Sequence, residues 1–260
     1  MIETKIYSYY AFGYNYYLLR FSTKAIAVRG EDSLASRIDD FFEKLRELDL
    51  RVTEAAAIDL TKIRSGLNEL DEKTVVTAEL VEQVTNAVNK LDTTLDAELG
   101  LRSAFIVTPK RFPLEYLLGS TRHLFAADVF DHLPDICKFD FSEACRSIAF
   151  GLPTASAFHL MRGTEGVLRF YYCSIVKRNR IEKQMWGEVI TELKKRRDAP
   201  PRPLLDSLDN IRVNFRNPTQ HPEARYDIDE AQDLLALSID IVNRMIRDLS
   251  KRNLLPTIYI

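Results

Sequence analysis

From Ser33 to Leu249 the apolar residues recur mainly at intervals of three and four, the period of one helix face. Leu34, Ile38, Phe41, Phe42, Leu45 and Leu48 form the first such stripe, and residues 52–70 carry a second. Val81, Val84, Val88, Leu91 and Leu95, within residues 76–98, form a third. A stripe of this kind has to be buried against another helix. The pattern therefore predicts an all-α chain whose first part is a helical hairpin or partial bundle. Nine glycines in 260 residues are few for an all-β alternative.

Two stretches interrupt the helical period. Tyr7, Tyr9, Tyr10, Tyr14, Tyr16 and Tyr17 are six of the eleven tyrosines. Aromatic density of this order predicts one or two short strands or a docking segment at the start of the chain, the plainer role being to cover the domain's own core. Residues 101–115, "LRSAFIVTPKRFPLE", combine two prolines with a β-branched run and predict a linker or short strand. The expected organisation is thus a mostly helical region over residues 1–115 and a helical domain over 116–260.

In the second part, Gly119 and Pro134 predict short, broken helices. His123 and His132 lie among them with no carboxylate or cysteine at ligand spacing, and are expected to be structural or surface residues. Pro153 stands at a plausible first helical position, and the following "HLMRGTEGVLRFYY" is apolar nearly all round, as in a central helix. Tyr171 and Tyr172 are expected to pack. A second helix over 181–197 ends in "KKRR", and "APPRP" is a loop. Leu204, Leu208, Ile211 and Phe215 mark a third helix, which should end near Arg216 because Pro218 disfavours helical geometry at Asn217. Asp227 with Glu230 forms a capping box for a last helix bearing Ala231, Leu234, Leu235, Ser238, Ile241, Val242, Met245 and Leu249. Four helices in this order predict an up-down bundle.

The formal charge of -2 conceals an asymmetry. Residues 1–150 hold 18 Lys+Arg against 24 Asp+Glu, residues 151–260 hold 18 against 14, and residues 151–216 alone hold 13 against 7. That local excess suits an anionic ligand better than the overall pI of 6.1. Cys137, Cys145 and Cys173 are odd in number and lack CxxC spacing, which implies neither a disulfide framework nor a metal site and fits a reducing compartment. There is no Gly-rich phosphate loop, no G-x-S-x-G and no H-E-x-x-H, so no cofactor is expected. No membrane-spanning run and no secretory leader stand out, and the expected location is cytoplasmic.

"RNPTQH", residues 216–221, is an R-x4-H motif with a polar residue directly after the arginine, set between the last two helices of a bundle. In this it resembles the HEPN superfamily, and "HLMRGTEGVLRFYY" is similar to that group's glutamate-bearing helix. The resemblance covers about residues 150–252. It implies a metal-independent endoribonuclease, acting as a toxin or abortive-infection effector against phage, with RNA as partner and a homodimer as its working form. It assigns catalysis to Arg216 and His221, with Asn217 orienting or touching substrate.

The chemistry suits those residue types. Cleavage without metal uses the ribose 2′-hydroxyl as nucleophile, so it needs a base near neutral pKa and a cation for the phosphorane charge, which histidine and arginine supply. Glu165 either holds Arg216 from beneath or pairs with Arg162 or Arg169 on its own helix. Lys194, Lys195, Arg196, Arg197 and Arg202 are the expected contacts for RNA phosphates. A toxin branch of the family extends the motif to R-x4-H-x-Y; here Glu223 occupies the tyrosine's place and the nearest tyrosine is Tyr226. Silencing by modification of that tyrosine therefore does not follow, although an antitoxin or other regulatory partner is within what the resemblance implies. The alternative is a non-catalytic module that binds nucleotides or RNA or serves for dimerisation.

Overall fold

The computed structural model describes residues 4–22, 26–72, 74–177, 185–221 and 223–255. The regular structure of these residues is helical, joined by turns and irregular segments, with one isolated antiparallel bridge between Ala27 and Val75. The chain divides into two compact units, Met1–Phe105 and Ile106–Ile260.

The first unit contains α1 (Ile6–Arg20), α2 (Leu34–Glu47), α3 (Arg51–Ala56), α4 (Ile58–Leu67) and α5 (Ala78–Gly100). Its opening is a correction to the strands expected there. Phe12 and Leu19 of α1 are buried, and Phe12 stacks on Phe41 of α2 with ring centroids 5.8 Å apart. The tyrosines that suggested β structure are spaced for a helix, and their composition outweighed that spacing in the prediction. The stripe over 52–70 is also divided, because the chain leaves helical geometry at Ala57 (ψ 31°) between α3 and α4. Ser33 and Thr77 cap α2 and α5 by accepting from Ser36 N–H and Leu80 N–H. Glu98 of α5 caps α3 from outside, accepting from the N–H of Val52 at 3.1 Å and of Thr53 at 2.8 Å. The core joins Leu34, Ile38, Phe41 and Leu45 to Leu60, Leu67, Val84, Val88 and Leu91.

Residues 102–110 are irregular rather than a strand. The second unit starts before 115 because its own helices already hold this segment: Arg111 N–H donates to Gln232 Oε1 at 2.7 Å, and Val107, Phe112 and Leu114 pack on its core.

That unit comprises α6 (Leu114–Leu118), two 3-10 turns, α7 (Asp135–Ala149), α8 (Pro153–Val176), α9 (Trp186–Lys194), α10 (Arg202–Ile211), a π turn (Arg212–Arg216), α11 (Asn217–Thr219) and α12 (Ile228–Lys251). The sequence pattern placed only short helices between residues 116 and 150, yet α7 runs unbroken and packs extensively on α8. Pro134 limits it only from outside, at the N-cap. α8 begins with Pro153 as expected and packs on both α7 and α12, with Leu160, Val167, Leu168 and Tyr171 buried against Leu235, Val242, Met245 and Leu249. Residues 178–184, where a second helix was expected to start, lie outside the described residues; α9 ends at Lys194.

Tyr171 and Tyr172 are core residues. Tyr171 donates its hydroxyl to Asp248 Oδ2 at 2.5 Å, and Tyr172 donates to Glu192. The capping box is formed as predicted, with Glu230 N–H on Asp227 Oδ1 and Asp227 N–H on Glu230 Oε2, both at 2.8 Å. Among the described residues no helix is long and apolar enough to cross a membrane.

Candidate functional site

The helix carrying the R-x4-H motif does not stop at Arg216. Arg216 (φ -62°, ψ -48°) and Asn217 (φ -65°, ψ -50°) are both helical, and Asn217 N–H donates to the carbonyl of Arg212, five residues back. In an α-helix the ring of Pro218 would strike the carbonyl four residues earlier. Widening the preceding turn to five residues relieves that conflict, so the chain keeps winding to Thr219. This corrects the expected break. The turn inserts one residue, which changes the direction in which Arg216 and Asn217 face.

Arg216 points to α8. Its Nε and Nη2 both donate to Glu165 Oε2 at 3.3 Å, and both side chains are about four-fifths buried. The other carboxylate oxygen, Oε1, accepts from Arg169 Nη2 at 2.8 Å. The two roles weighed for Glu165 are therefore both fulfilled, one oxygen each. Arg162 takes no part in this. It lies instead against Asp140 of α7, whose carboxylate accepts from Arg162 Nε at 2.8 Å and contacts His159 Nδ1 at 3.0 Å. Asp140 is almost fully buried. A carboxylate can only accept here, so His159 carries a hydrogen on Nδ1.

A cavity of about 660 Å³ is lined by Asp140, His159, Arg162, Glu165, Arg169, Arg216 and Gln220, with Phe158 and Ile136 as apolar wall. A second of about 660 Å³ is lined by Trp186, Glu188, Glu192, Lys194, Asp209, Arg212, Arg216 and Asn217. Arg216 is in the wall of both. Three guanidiniums and one imidazole against two carboxylates leave the first cavity with a surplus of N–H donors, which suits an anion.

His221 is exposed and lines neither cavity, although its backbone N–H is fixed on Pro218 O at 2.8 Å. The loop behind it is closed by Tyr226, whose hydroxyl lies 2.6 Å from Thr219 Oγ1 and whose N–H reaches Thr154 Oγ1 at 3.3 Å. Of the expected phosphate contacts, Lys194 lies in the second cavity and 3.7 Å from Asp206. Arg202 shares Asp206 at 3.7 Å, Arg196 pairs with Asp198 at 2.9 Å, and Lys195 and Arg197 are exposed; none of these four lines either cavity.

Asp140 and His159 are site residues that the sequence pattern did not single out, and Arg162 and Arg169 entered only as helix partners of Glu165. The signal was present in part: His159, Arg162, Gly166 and Arg169 follow one another by three, four and three on a helix otherwise apolar. Among the described residues no three His, Cys, Asp or Glu side chains gather as a metal ion requires. His123 meets Tyr116 edge to face at 5.3 Å, and His132 ends a 3-10 turn.

No family model, curated protein or solved structure matches the chain. What the site does must therefore be judged from its own chemistry.

Proposed function

We propose that the second unit is a HEPN-like, metal-independent endoribonuclease that works as a homodimer and serves as a toxin or abortive-infection effector. The observation that carries this reading is the Arg216–Glu165 pair, which holds a guanidinium from the motif in the wall shared by two cavities. A guanidinium fixed from behind by a carboxylate keeps its remaining N–H groups for a phosphate.

In the reaction, His221 accepts the proton of the ribose 2′-hydroxyl. The O2′–P bond forms, Arg216 offsets the charge growing on the equatorial oxygens, and the P–O5′ bond breaks, the leaving O5′ taking up a proton from water. The ends are a 2′,3′-cyclic phosphate and a 5′-hydroxyl. Asn217, in the wall of the second cavity, contacts the strand beside the scissile phosphate. A regulatory partner or antitoxin would act by covering this opening.

Purified protein incubated with total cellular RNA in EDTA is expected to cut it, and His221→Ala is expected to lower the rate by about 10²–10⁴. Cutting that persists in the variant at the wild-type rate would remove His221 from the mechanism.

One observation favours a second reading. His221 stands outside both cavities, as it would in a non-catalytic module that binds RNA or nucleotides through Arg216 and Arg169. RNA bound by the wild type, weakened by Arg216→Ala and never cut, is the result that this module would give.

A further inference from the structure

The face of α1 turned away from its own core is aromatic along its whole length. Tyr7, Tyr10, Tyr14, Tyr17 and Phe21 follow one another by three, four, three and four residues, and all are between 56% and 72% exposed. The rings pair at both ends of the stripe, with centroids of Tyr7 and Tyr10 5.9 Å apart and of Tyr17 and Phe21 4.8 Å apart. Ile6 extends it and is equally exposed. No Asp, Glu, Lys or Arg occurs from Ile6 to Leu19.

We infer that this stripe docks against the same stripe of a second copy of the chain, pairing two α1 helices. Three features select that occupant. A strict three-four alternation is the spacing at which one helix seats its side chains between those of an identical partner. An uncharged face meets its own copy without like-charge cost. The six side chains present on the order of 800 Å², about what each partner contributes to a stable protein interface.

Gly13 points the same way. Glycine weakens a mid-helix position relative to alanine, and here a Cβ would meet nothing within 4 Å in the chain. The unit's own packing thus gives no reason for it. Gly13 adjoins Tyr10, Tyr14 and Tyr17 on the exposed side, where a small residue lets a second backbone come close. A lipid surface is the poorer occupant: helices lying on membranes carry Lys and Arg beside their apolar face, whereas α1 has only Arg20 and residues 1–105 hold 13 Lys+Arg against 18 Asp+Glu.

The pairing is a contact of the first unit, separate from the homodimer proposed for the second, so the variants on α1 decide it rather than association as such. Sedimentation of the full chain at micromolar concentration is expected to show association, and Tyr10→Arg with Tyr17→Arg is expected to weaken it at least about tenfold. Gly13→Leu separates association from folding: it improves helix propensity and meets open space within the chain, yet is expected to weaken the pairing as well. Tyr14 is the middle of the stripe, so in either helix orientation it faces its own copy. Tyr14→Cys is therefore expected to form an interchain disulfide under mild oxidation, and Lys62→Cys on α4 is not. A wild-type monomer would overturn the inference, and so would association that neither the tyrosine pair nor Gly13→Leu alters, which would place the interface elsewhere.

Discussion

Arg216→Lys is expected to cut RNA at least about 10²-fold more slowly than the wild type, although it keeps the positive charge. Arg216 spends two donors, Nε and Nη2, on Glu165 Oε2 and has others left for a phosphate. An ammonium on a flexible stem cannot divide itself in this way. Drawn to Glu165 it is a point charge on the carboxylate, and turned to the phosphate it leaves Glu165 to Arg169 alone. Stability should change little, within about 1 kcal/mol, because the lysine keeps a cation opposite Glu165 and Arg169 retains its own bond to the carboxylate. Matched thermal melts and initial rates test both statements together. A lysine variant within tenfold of wild type would mean that charge alone suffices and that the two-sided grip on Glu165 has no catalytic value.

Gly166→Ala is the substitution with the largest expected effect on folding. A Cβ there would lie 2.6 Å from Cys137 Sγ, at the close crossing of α8 over α7. Cys137 is fully buried and its thiol is pushed up to about 12 by burial and the nearby Asp140 carboxylate, so it sits as a neutral packing group rather than a nucleophile. The overpacked crossing should cost about 1–3 kcal/mol, or roughly 2–4 °C of Tm per kcal/mol for a unit of this size. Cys137→Ala removes the obstructing sulfur, and the double variant is expected to recover most of the loss, a non-additivity read from the four melting temperatures. Additive losses would show that the two helices part by some other route. Because Glu165 precedes Gly166 on the same helix, the single variant should also disturb the grip on Arg216, and the double variant should restore it.

How far the sequence anticipates this arrangement depends on whether the deciding interaction is local. The Asp227–Glu230 box and the start of α8 at Pro153 are set by residues within one turn of each other, and both form as the pattern predicts. At the start of the chain, aromatic content competed with spacing. Tyr7, Tyr10, Tyr14 and Tyr17 fit a helix by their spacing, but tyrosine favours strands by composition, and the two signals oppose each other. Proline's disfavour of helical geometry at the residue before it is a tendency that Asn217 overrides, and nothing in the sequence announces that Arg212–Arg216 will adopt the five-residue turn that clears the ring from the carbonyl four residues back. The Asp140–His159–Arg162 cluster is formed between α7 and α8, and no spacing within either helix reveals which carboxylate will lie opposite which arginine. Glu165 is legible as a candidate because it is an acidic residue on an otherwise apolar helix that resembles a glutamate-bearing one; its hold on Arg216 depends on how the two helices meet.

The five-residue turn has a bearing on how this motif can vary. A π turn is an α-helix with one residue too many, so the direction of Arg216 is set by a count as well as by side-chain identity. Removing any one residue between Arg212 and Phe215 would let the α ladder close and would rotate everything beyond it by about 100° around the helix axis. Arg216, Asn217 and His221 would all survive such a deletion in their mutual order, R-x4-H intact as text, while the guanidinium swung away from Glu165. Two chains could share the motif letter for letter and differ in whether it is armed.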